Sequence, residues 1–447
     1  MIEILLLFLA IIFLIYASIL IFSFLRRKES HKRAVLTGGG SSGHIYPAIA
    51  IGRALEPDIE KFIYIGGKGR IEEQVVPKEK IPLKLICAAP YPSRIFQLPF
   101  FLLKLTFGII QSSFHLLLFQ PRFVIGTGGF VSAPVVFSSF ILNSLSLLRA
   151  KIFLHEQNVT PGKLNLLASK IADIILVTFP QSIQFFGEKA VLIGYPVRKF
   201  KQEAQKSELL EKIKIPEGRK VVFAFGGSQG SRTINRAIVA SLKYLLPYKE
   251  KIFVVLSCGL GQSGYNGQKD VEDFIEKNYN KDELSELKEF FCYKPYFYNI
   301  NEIFNVASLV VARSGAGALF ELASFELPSI LIPKLGLSNE HQVMNAMAME
   351  ESGGSIILFE KPSFDNSSLL FVDGKTLAEK IIDIVFSEEK LSKMKEGTRK
   401  FIPSQDILES IRKIVLKGIE QKEDSSASSP FSKLKPPSRL LSFLQKE

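Results

Sequence analysis

The chain has 447 residues, of which 47% are hydrophobic and 22% charged, and a formal net charge of +12. That balance excludes a disordered chain and leaves room for two or so domains of about 100–200 residues each. The positive excess suits an anionic partner, whether nucleic acid, phospholipid or pyrophosphate. Cys87, Cys258 and Cys292 form no Cys-x-x-Cys pair, and no Cys/His cluster has zinc spacing, so they read as reduced thiols of a cytosolic compartment.

The first element is apolar. Ile4 to Leu25 is interrupted only by Tyr16, Ser18 and Ser23, which is long enough to cross a hydrocarbon core of about 30 Å. Arg26, Arg27 and Lys28 follow at once. This pattern predicts a transmembrane anchor over residues 1–28 with the rest of the chain on the cytoplasmic side. A cleaved signal peptide fits less well, because no cation precedes the apolar run and no small-residue cleavage site follows it.

Next comes a strand, a glycine loop and a helix. Ala34-Val35-Leu36 enters Gly38-Gly39-Gly40-Ser41-Ser42-Gly43-His44, and Ala48 to Leu55 has helical spacing. Phe62 to Ile65 is the next apolar run. This alternation predicts a parallel sheet with helices on both faces, here a Rossmann-like domain over residues 29–196. Tyr91 to Phe119 admits two readings: a helix buried over part of its length, or an apolar face that lies on a bilayer with Arg94 and Lys104 as its basic rim. Gly126-Thr127-Gly128-Gly129-Phe130 then precedes Ser132-Ala133-Pro134, and His155 after Ile152–Leu154 reads as a structural hydrogen-bonding group.

Lys199 to Lys220 reads as a linker. A second cycle starts at Val221–Phe225, enters Gly226-Gly227-Ser228-Gln229-Gly230 and continues into a helix from Ile234. Arg313-Ser314-Gly315-Ala316-Gly317-Ala318 follows the run Leu309–Ala312, with Glu321 in the next helix. The second Rossmann-like domain is expected over 197–395, a helix near 396–418 is expected to complete the first, and 420–447, rich in Ser, Pro, Lys and Glu, reads as a disordered tail.

A glycine loop between strand and helix lets backbone N–H groups approach a phosphate at the positive end of the helix dipole. Any one loop could be only a tight turn. None continues as the Gly-Lys-Ser/Thr of a Walker A loop, and the dinucleotide fingerprint is imperfect. An NAD-dependent oxidoreductase would need a ribose-binding acid about twenty residues after the first loop, where Asp58 and Glu60 fit poorly. Together the loops describe a cleft between two α/β domains for a pyrophosphate-containing ligand.

As a set, several blocks resemble the MurG family of N-acetylglucosaminyltransferases over residues 33–418. They are Gly39–His44 with Pro47, Gly126–Pro134, His155-Glu156-Gln157-Asn158, Gly194 with Pro196-Val197-Arg198, Gly226–Gly230, Arg313–Glu321, and His341-Gln342 with Asn345-Ala346. The resemblance implies a GT-B architecture, with a lipid acceptor on the first domain and a UDP-sugar mainly on the second. It implies transfer of GlcNAc from UDP-GlcNAc to the C4 hydroxyl of MurNAc in lipid I, giving lipid II for peptidoglycan synthesis. A GT-B enzyme acting on another lipid, such as diacylglycerol, is the alternative. A catalytically dead membrane scaffold is a third reading, against which His44, Glu321 and Gln342 argue.

The implied roles follow. His44 is the candidate general base, since a neutral imidazole suits proton abstraction near pH 7; its other reading is a helix cap or a pyrophosphate ligand. UDP-GlcNAc would meet Ser41, Ser42, Gly43, Asn158, Arg198, Ser228, Phe297, Ala316, Gly317, Ala318, Leu319, Phe320, Glu321, Gln342 and Asn345. Among these, Ser228 and Arg198 face the diphosphate, Glu321 accepts both ribose hydroxyls, Phe297 offers backbone to uracil, and Gln342 and Asn158 read the sugar. Gly40, Gly43, Gly128 and Gly129 would form the acceptor pyrophosphate loops. Arg313 is either a cation beside the nucleotide or half of a structural ion pair. No metal or cofactor is expected, because no Asp-x-Asp pair is present; UDP-GlcNAc is a co-substrate. The implied partners are lipid I, anionic phospholipid of the cytoplasmic leaflet and other cell-wall synthesis proteins, with no nucleic acid. The chain departs from the family pattern at Ser41-Ser42, at Tyr195 in place of Asn, at Glu326 in place of Gly, and in its N-terminal anchor.

Overall fold

The computed structural model describes residues 32–92, 94–196, 210–211, 214–261, 264–337, 340–362, 370–402 and 406–420. The expected anchor over 1–28, Arg198 and the tail from 421 lie outside the described residues. The chain divides into two compact units, one comprising residues up to Val197 together with those from Gln405, the other Arg198–Ser404.

The first unit is built on seven parallel strands: β1 (Arg33–Thr37), β2 (Lys61–Gly67), β3 (Leu83–Ile86), β4 (Phe123–Gly126), β5 (Lys151–Glu156), β6 (Ile174–Val177) and β7 (Ala190–Leu192), in the order β3-β2-β1-β4-β5-β6-β7. Its strands read as continuous apolar runs because helices cover both faces; Ala34, Val35 and Leu36 are all fully buried. The helices are α1 (Ser42–Leu55), α2 (Leu98–Phe119), α3 (Ser132–Ser144) and α4 (Lys163–Ala168). The chain order reverses between β1 and β4. In an open α/β sheet a ligand binds at such a point, beyond the carboxyl ends of the strands.

Helix α2 is buried along one half and exposed along the other. Gly108, Ser112, Ser113, Leu116 and Leu117 are buried, and a Cβ on Gly108 would stand 2.2 Å from the Cys87 carbonyl oxygen. Toward the other end Phe100, Leu103 and Phe107 are exposed by 62%, 66% and 55%. The Lys104 ammonium sits 4.5 Å from the Phe100 ring centroid and the Arg94 guanidinium 6.0 Å from that of Phe96.

The second unit has six parallel strands: β8 (Lys220–Phe225), β9 (Ile252–Ser257), β10 (Phe291–Lys294), β11 (Ala307–Ala312), β12 (Ser329–Leu331) and β13 (Ser355–Ile357), in the order β10-β9-β8-β11-β12-β13. This repeats the arrangement of the first unit, with the reversal between β8 and β11. Its helices include α5 (Arg232–Leu245), α6 (Gly267–Asn278), α7 (Ala316–Ser324), α8 (His341–Glu351), α9 (Gly374–Val385) and α10 (Glu388–Phe401). The anticipated boundary at 395/396 falls inside α10, which packs in the second unit: a Cβ on Gly397 would meet the Gly353 backbone at 2.2 Å. The helix that returns to the first unit is Ile407–Glu420, whose Ile411 and Val415 enter the core beside Ile45 and Ile49. Arg412 pairs with Asp58 beneath it.

Candidate functional site

At the first switch point the loops after β1 and β4 interlock through backbone. Gly39 N–H donates to the Gly128 carbonyl at 3.2 Å. Gly128 and Gly129 take positive φ (+92° and +74°), and a Cβ on Gly129 would lie 1.9 Å from the Gly39 oxygen, so no side chain fits there. From the other side Glu72, fully buried in the turn that follows β2, accepts from Gly40 N–H at 2.8 Å through Oε1. Tyr64 hydroxyl donates to the Gly38 carbonyl at 2.6 Å. Burial pushes the Glu72 carboxyl above the ordinary range.

These bonds change how the acceptor loop reads. The N–H groups of Gly39 and Gly40 are committed inside the protein, so Gly40 offers no amide to a phosphate. The first-turn donors of α1, Ser42 and Gly43, are the ones its helical ladder leaves unused.

His44 lies in that first turn, half-buried. Its Nδ1 is 2.8 Å from the Thr127 carbonyl oxygen. The Thr127 carbonyl can only accept, and the Gln157 Nε2 amide that abuts the same Nδ1 can only donate, so these two neighbours call for opposite tautomers of the ring. Thr127 hydroxyl donates to the His44 carbonyl at 2.6 Å. Tyr195, the departure from the family's Asn, donates its phenol to the Gly43 carbonyl at 3.3 Å and steadies the same turn.

The His155–Asn158 block serves this turn from below. His155 is fully buried, lies 3.2 Å from the Thr178 hydroxyl through Nε2, and burial drives its pKa down to about 3, so it is neutral. Glu156 accepts from the N–H groups of Asn158 (2.9 Å) and Gly162 (3.1 Å) and from the Asn165 amide (2.8 Å); burial raises its pKa. Asn158 is thereby fixed on the loop after β5.

At the second switch point the loop after β8 is pinned at Gly230, where a Cβ would lie 2.0 Å from the Cys258 carbonyl oxygen, but open at its tip. Gly227 has φ +90°, a Cβ added to it would meet nothing within 4 Å, and Ser228 is exposed. Ser231 caps α5 by accepting from Ile234 N–H at 3.4 Å. A cavity of about 590 Å³ lies here, walled by Gly226, Gly227, Gly230, Arg232, Tyr265, Gly315, Ala318, Lys334 and Gln342, among others. Arg313 reaches it but is held by Glu360 (2.6 Å) and the Ile332 carbonyl (2.9 Å), which settles it as an ion pair. Among the described residues of the wall, the cations left to a ligand are Arg232, 5.2 Å from the Tyr265 ring centroid, and Lys334. α7 begins at the same place, with its first-turn amides of Ala316, Gly317 and Ala318.

The predicted donor residues divide. Ala318 and Gln342 stand in the cavity wall; the Gln342 oxygen accepts from Lys334 N–H at 2.9 Å, which leaves its NH₂ to donate. Leu319 and Phe320 are core residues, 0% and 1% exposed, and the Leu319 N–H bonds to the Gly315 carbonyl. Asn345 is wholly buried and donates to the Ser314 carbonyl at 3.3 Å, so it joins α8 to the loop after β11. Phe297 packs its ring edge-on to Phe223 at 6.0 Å, outside the cavity wall. Glu321 lies one turn beyond the wall; burial pushes its carboxyl up to about 7. Glu72, Gln157, Arg232, Lys334 and Glu360 were not assigned roles from the sequence. The glycine-rich turn Gly66-Gly67-Lys68-Gly69 before Glu72 is the one local signal that could have marked it.

Two family models cover most of the chain: the glycosyltransferase family 28 N-terminal domain over residues 34–177 and the family 28 C-terminal domain over 221–434. The chain belongs to glycosyltransferase family 28. Within that family it is 34% identical over 399 residues to the UDP-N-acetylglucosamine–N-acetylmuramyl-(pentapeptide) pyrophosphoryl-undecaprenol N-acetylglucosamine transferase of Desulforamulus reducens, which covers 86% of this chain and 99% of the relative. The protein of the same name from Finegoldia magna is 33% identical over 85% of this chain and 98% of its own length. Among solved structures, MurG of Acinetobacter baumannii matches with a TM-score of 0.62 at 18% identity, over 86% of this chain and 99% of that one. The UDP co-structure of Staphylococcus aureus MnaA matches at 0.60 and 11% identity, over 89% and 99%. The family 28 fold is thus GT-B, two Rossmann-like domains, and the resemblance read from the motifs is borne out.

Proposed function

We propose that the chain transfers GlcNAc from UDP-GlcNAc to the C4 hydroxyl of MurNAc in lipid I, forming lipid II and UDP. The observation that carries this reading is the 34% identity running through 99% of a relative that bears that activity in its name. The diacylglycerol alternative has no comparable support.

The site roles extend the reading. His44 Nε2 takes the proton from the acceptor hydroxyl as its oxygen bonds to the anomeric carbon and the bond to the UDP oxygen breaks, which inverts the anomeric centre. The place of His44 in the first turn of α1, beside the interlocked loops after β1 and β4, supports this assignment. Arg232, Lys334 and the α7 amides meet the charge of the leaving diphosphate without a metal. Glu321, ionised, accepts the ribose hydroxyls. The exposed half of α2 with Arg94 and Lys104 docks on anionic lipid of the cytoplasmic leaflet, and the 1–28 segment anchors the chain there.

The test is transfer of labelled GlcNAc to a lipid I analogue, with diacylglycerol as the competing acceptor. Transfer to diacylglycerol alone would overturn the assignment.

A further inference from the structure

The first glycine loop is gripped by a group the reaction itself does not use. Glu72 has no exposed surface, and one of its oxygens, Oε2, has no hydrogen-bond partner. Its other oxygen stands where a side chain on Gly39 would be: a Cβ there would lie 1.5 Å from Oε1. The Gly66 backbone closes on the same side chain, so that a Cβ added to Gly66 would stand 3.0 Å from the Glu72 Cβ. Next to it Arg70 lies 5.1 Å from the Phe130 ring centroid, and Phe130 in turn closes on Gly40, so the turn after β2 and the loop after β4 hold the first loop from two sides.

A buried carboxyl with a bare oxygen is costly, and a neutral residue of similar shape would pack there at lower cost. Its presence calls for a use. The use visible in the geometry is the bond to Gly40 N–H, two residues before the α1 first turn and four before His44. We infer that Glu72 is a positioning residue for the transfer: it fixes the Gly38–Gly40 backbone, and so the placement of the α1 first turn and of His44, for the acceptor. This rests on the reading of the first unit as the acceptor side.

Two substitutions separate reach from charge. Glu72→Gln keeps an oxygen at the same reach for Gly40 N–H. Glu72→Asp keeps the charge but withdraws the oxygen by one methylene. In full-length protein with the lipid I analogue, Glu72→Asp is expected to lower kcat by about 30-fold with the UDP-GlcNAc KM unchanged, and Glu72→Gln to stay within about 3-fold of wild type. Normal kcat in Glu72→Asp, or equal losses in both variants, would overturn the inference.

A double-mutant cycle on thermal unfolding tests the contact without any acceptor. Gly39→Ala should lower Tm less in a Glu72→Ala background than in wild type, since the colliding carboxyl is gone. Equal Tm losses in the two backgrounds would remove the contact on which the inference stands. A wild-type protein that transfers to no lipid I analogue, yet shows the Tm coupling, would sink the proposed reaction and leave the grip on the loop in place.

Discussion

The two units place a glycine loop at the same topological point of the same strand order, yet the loops differ in how far their tips are taken up by the protein. The loop after β1 is locked: Gly39 to Gly128, Gly40 to Glu72, Gly38 to Tyr64. The loop after β8 stands open over a cavity with Arg232 and Lys334 in its wall. A general base must be held to within a fraction of an ångström of its target, whereas a nucleotide must enter and leave. On the proposed function, the chemistry falls to the more tightly held loop and nucleotide exchange to the more open one.

The strongest way to break that division is His44→Ala, expected to lower kcat by about 10²–10⁴-fold and leave the UDP-GlcNAc KM unchanged. Steady-state kinetics with both substrates varied would show it, and a changed donor KM would mean that the locked loop also binds donor.

A matched pair of glycines comes next. Gly129→Ala meets both a positive φ and the Gly39 oxygen, whereas Gly227→Ala meets the positive φ alone. The first should cost about 3 kcal/mol or more and the second about 1–2 kcal/mol in denaturant unfolding. Equal losses would show that the second loop is as constrained as the first.

Glu321→Ala should raise the donor KM by about 10-fold with little change in kcat. The pH dependence adds a sign. Burial holds the Glu321 carboxyl up to about 7 from an ordinary 4.5, so it is protonated at pH 6 and ionised at pH 8. A protonated carboxyl cannot accept two hydroxyl donors as well, so UDP affinity should fall as pH drops through about 7 in wild type and stay flat in Glu321→Gln; isothermal titration would decide. In the free protein the same shift acts the other way. The folded state holds the proton more tightly than the unfolded one, so this group's contribution to stability is present below about pH 4.5 and is lost as pH rises through 7.

The smallest effect belongs to α2. Leu103→Glu with Phe107→Glu should weaken sedimentation with anionic vesicles several-fold while soluble UDP binding is unaffected. Unchanged vesicle binding would leave no lipid role for that face.

Much of this was legible in the sequence because apolar runs and glycines carry it. Val221–Phe225 before Gly226-Gly227 reads as a buried strand that runs into a glycine turn, which is what β8 and its loop are. What the sequence did not disclose depends on pairing across distance. Glu360 silences Arg313 from 47 positions away, and Glu72 reaches back 32 to Gly40; no local pattern marks the first pairing, and only the glycine-rich turn before Glu72 hints at the second. Leu319, Phe320 and Asn345 are a further case. They sit inside a binding motif, but helical geometry turns Leu319 and Phe320 into the core, and the loop after β11 claims Asn345.

The C-terminal helix has a consequence for biosynthesis. Ile411 and Val415 are fully buried in the first unit's core beside α1, yet the ribosome makes them only after all of β8 to α10. The first unit must therefore wait, its apolar seat beside Ile45 and Ile49 uncovered, while the second is synthesised and folds. The half that carries His44 is begun first and finished last, and that interval is when a chaperone would find it.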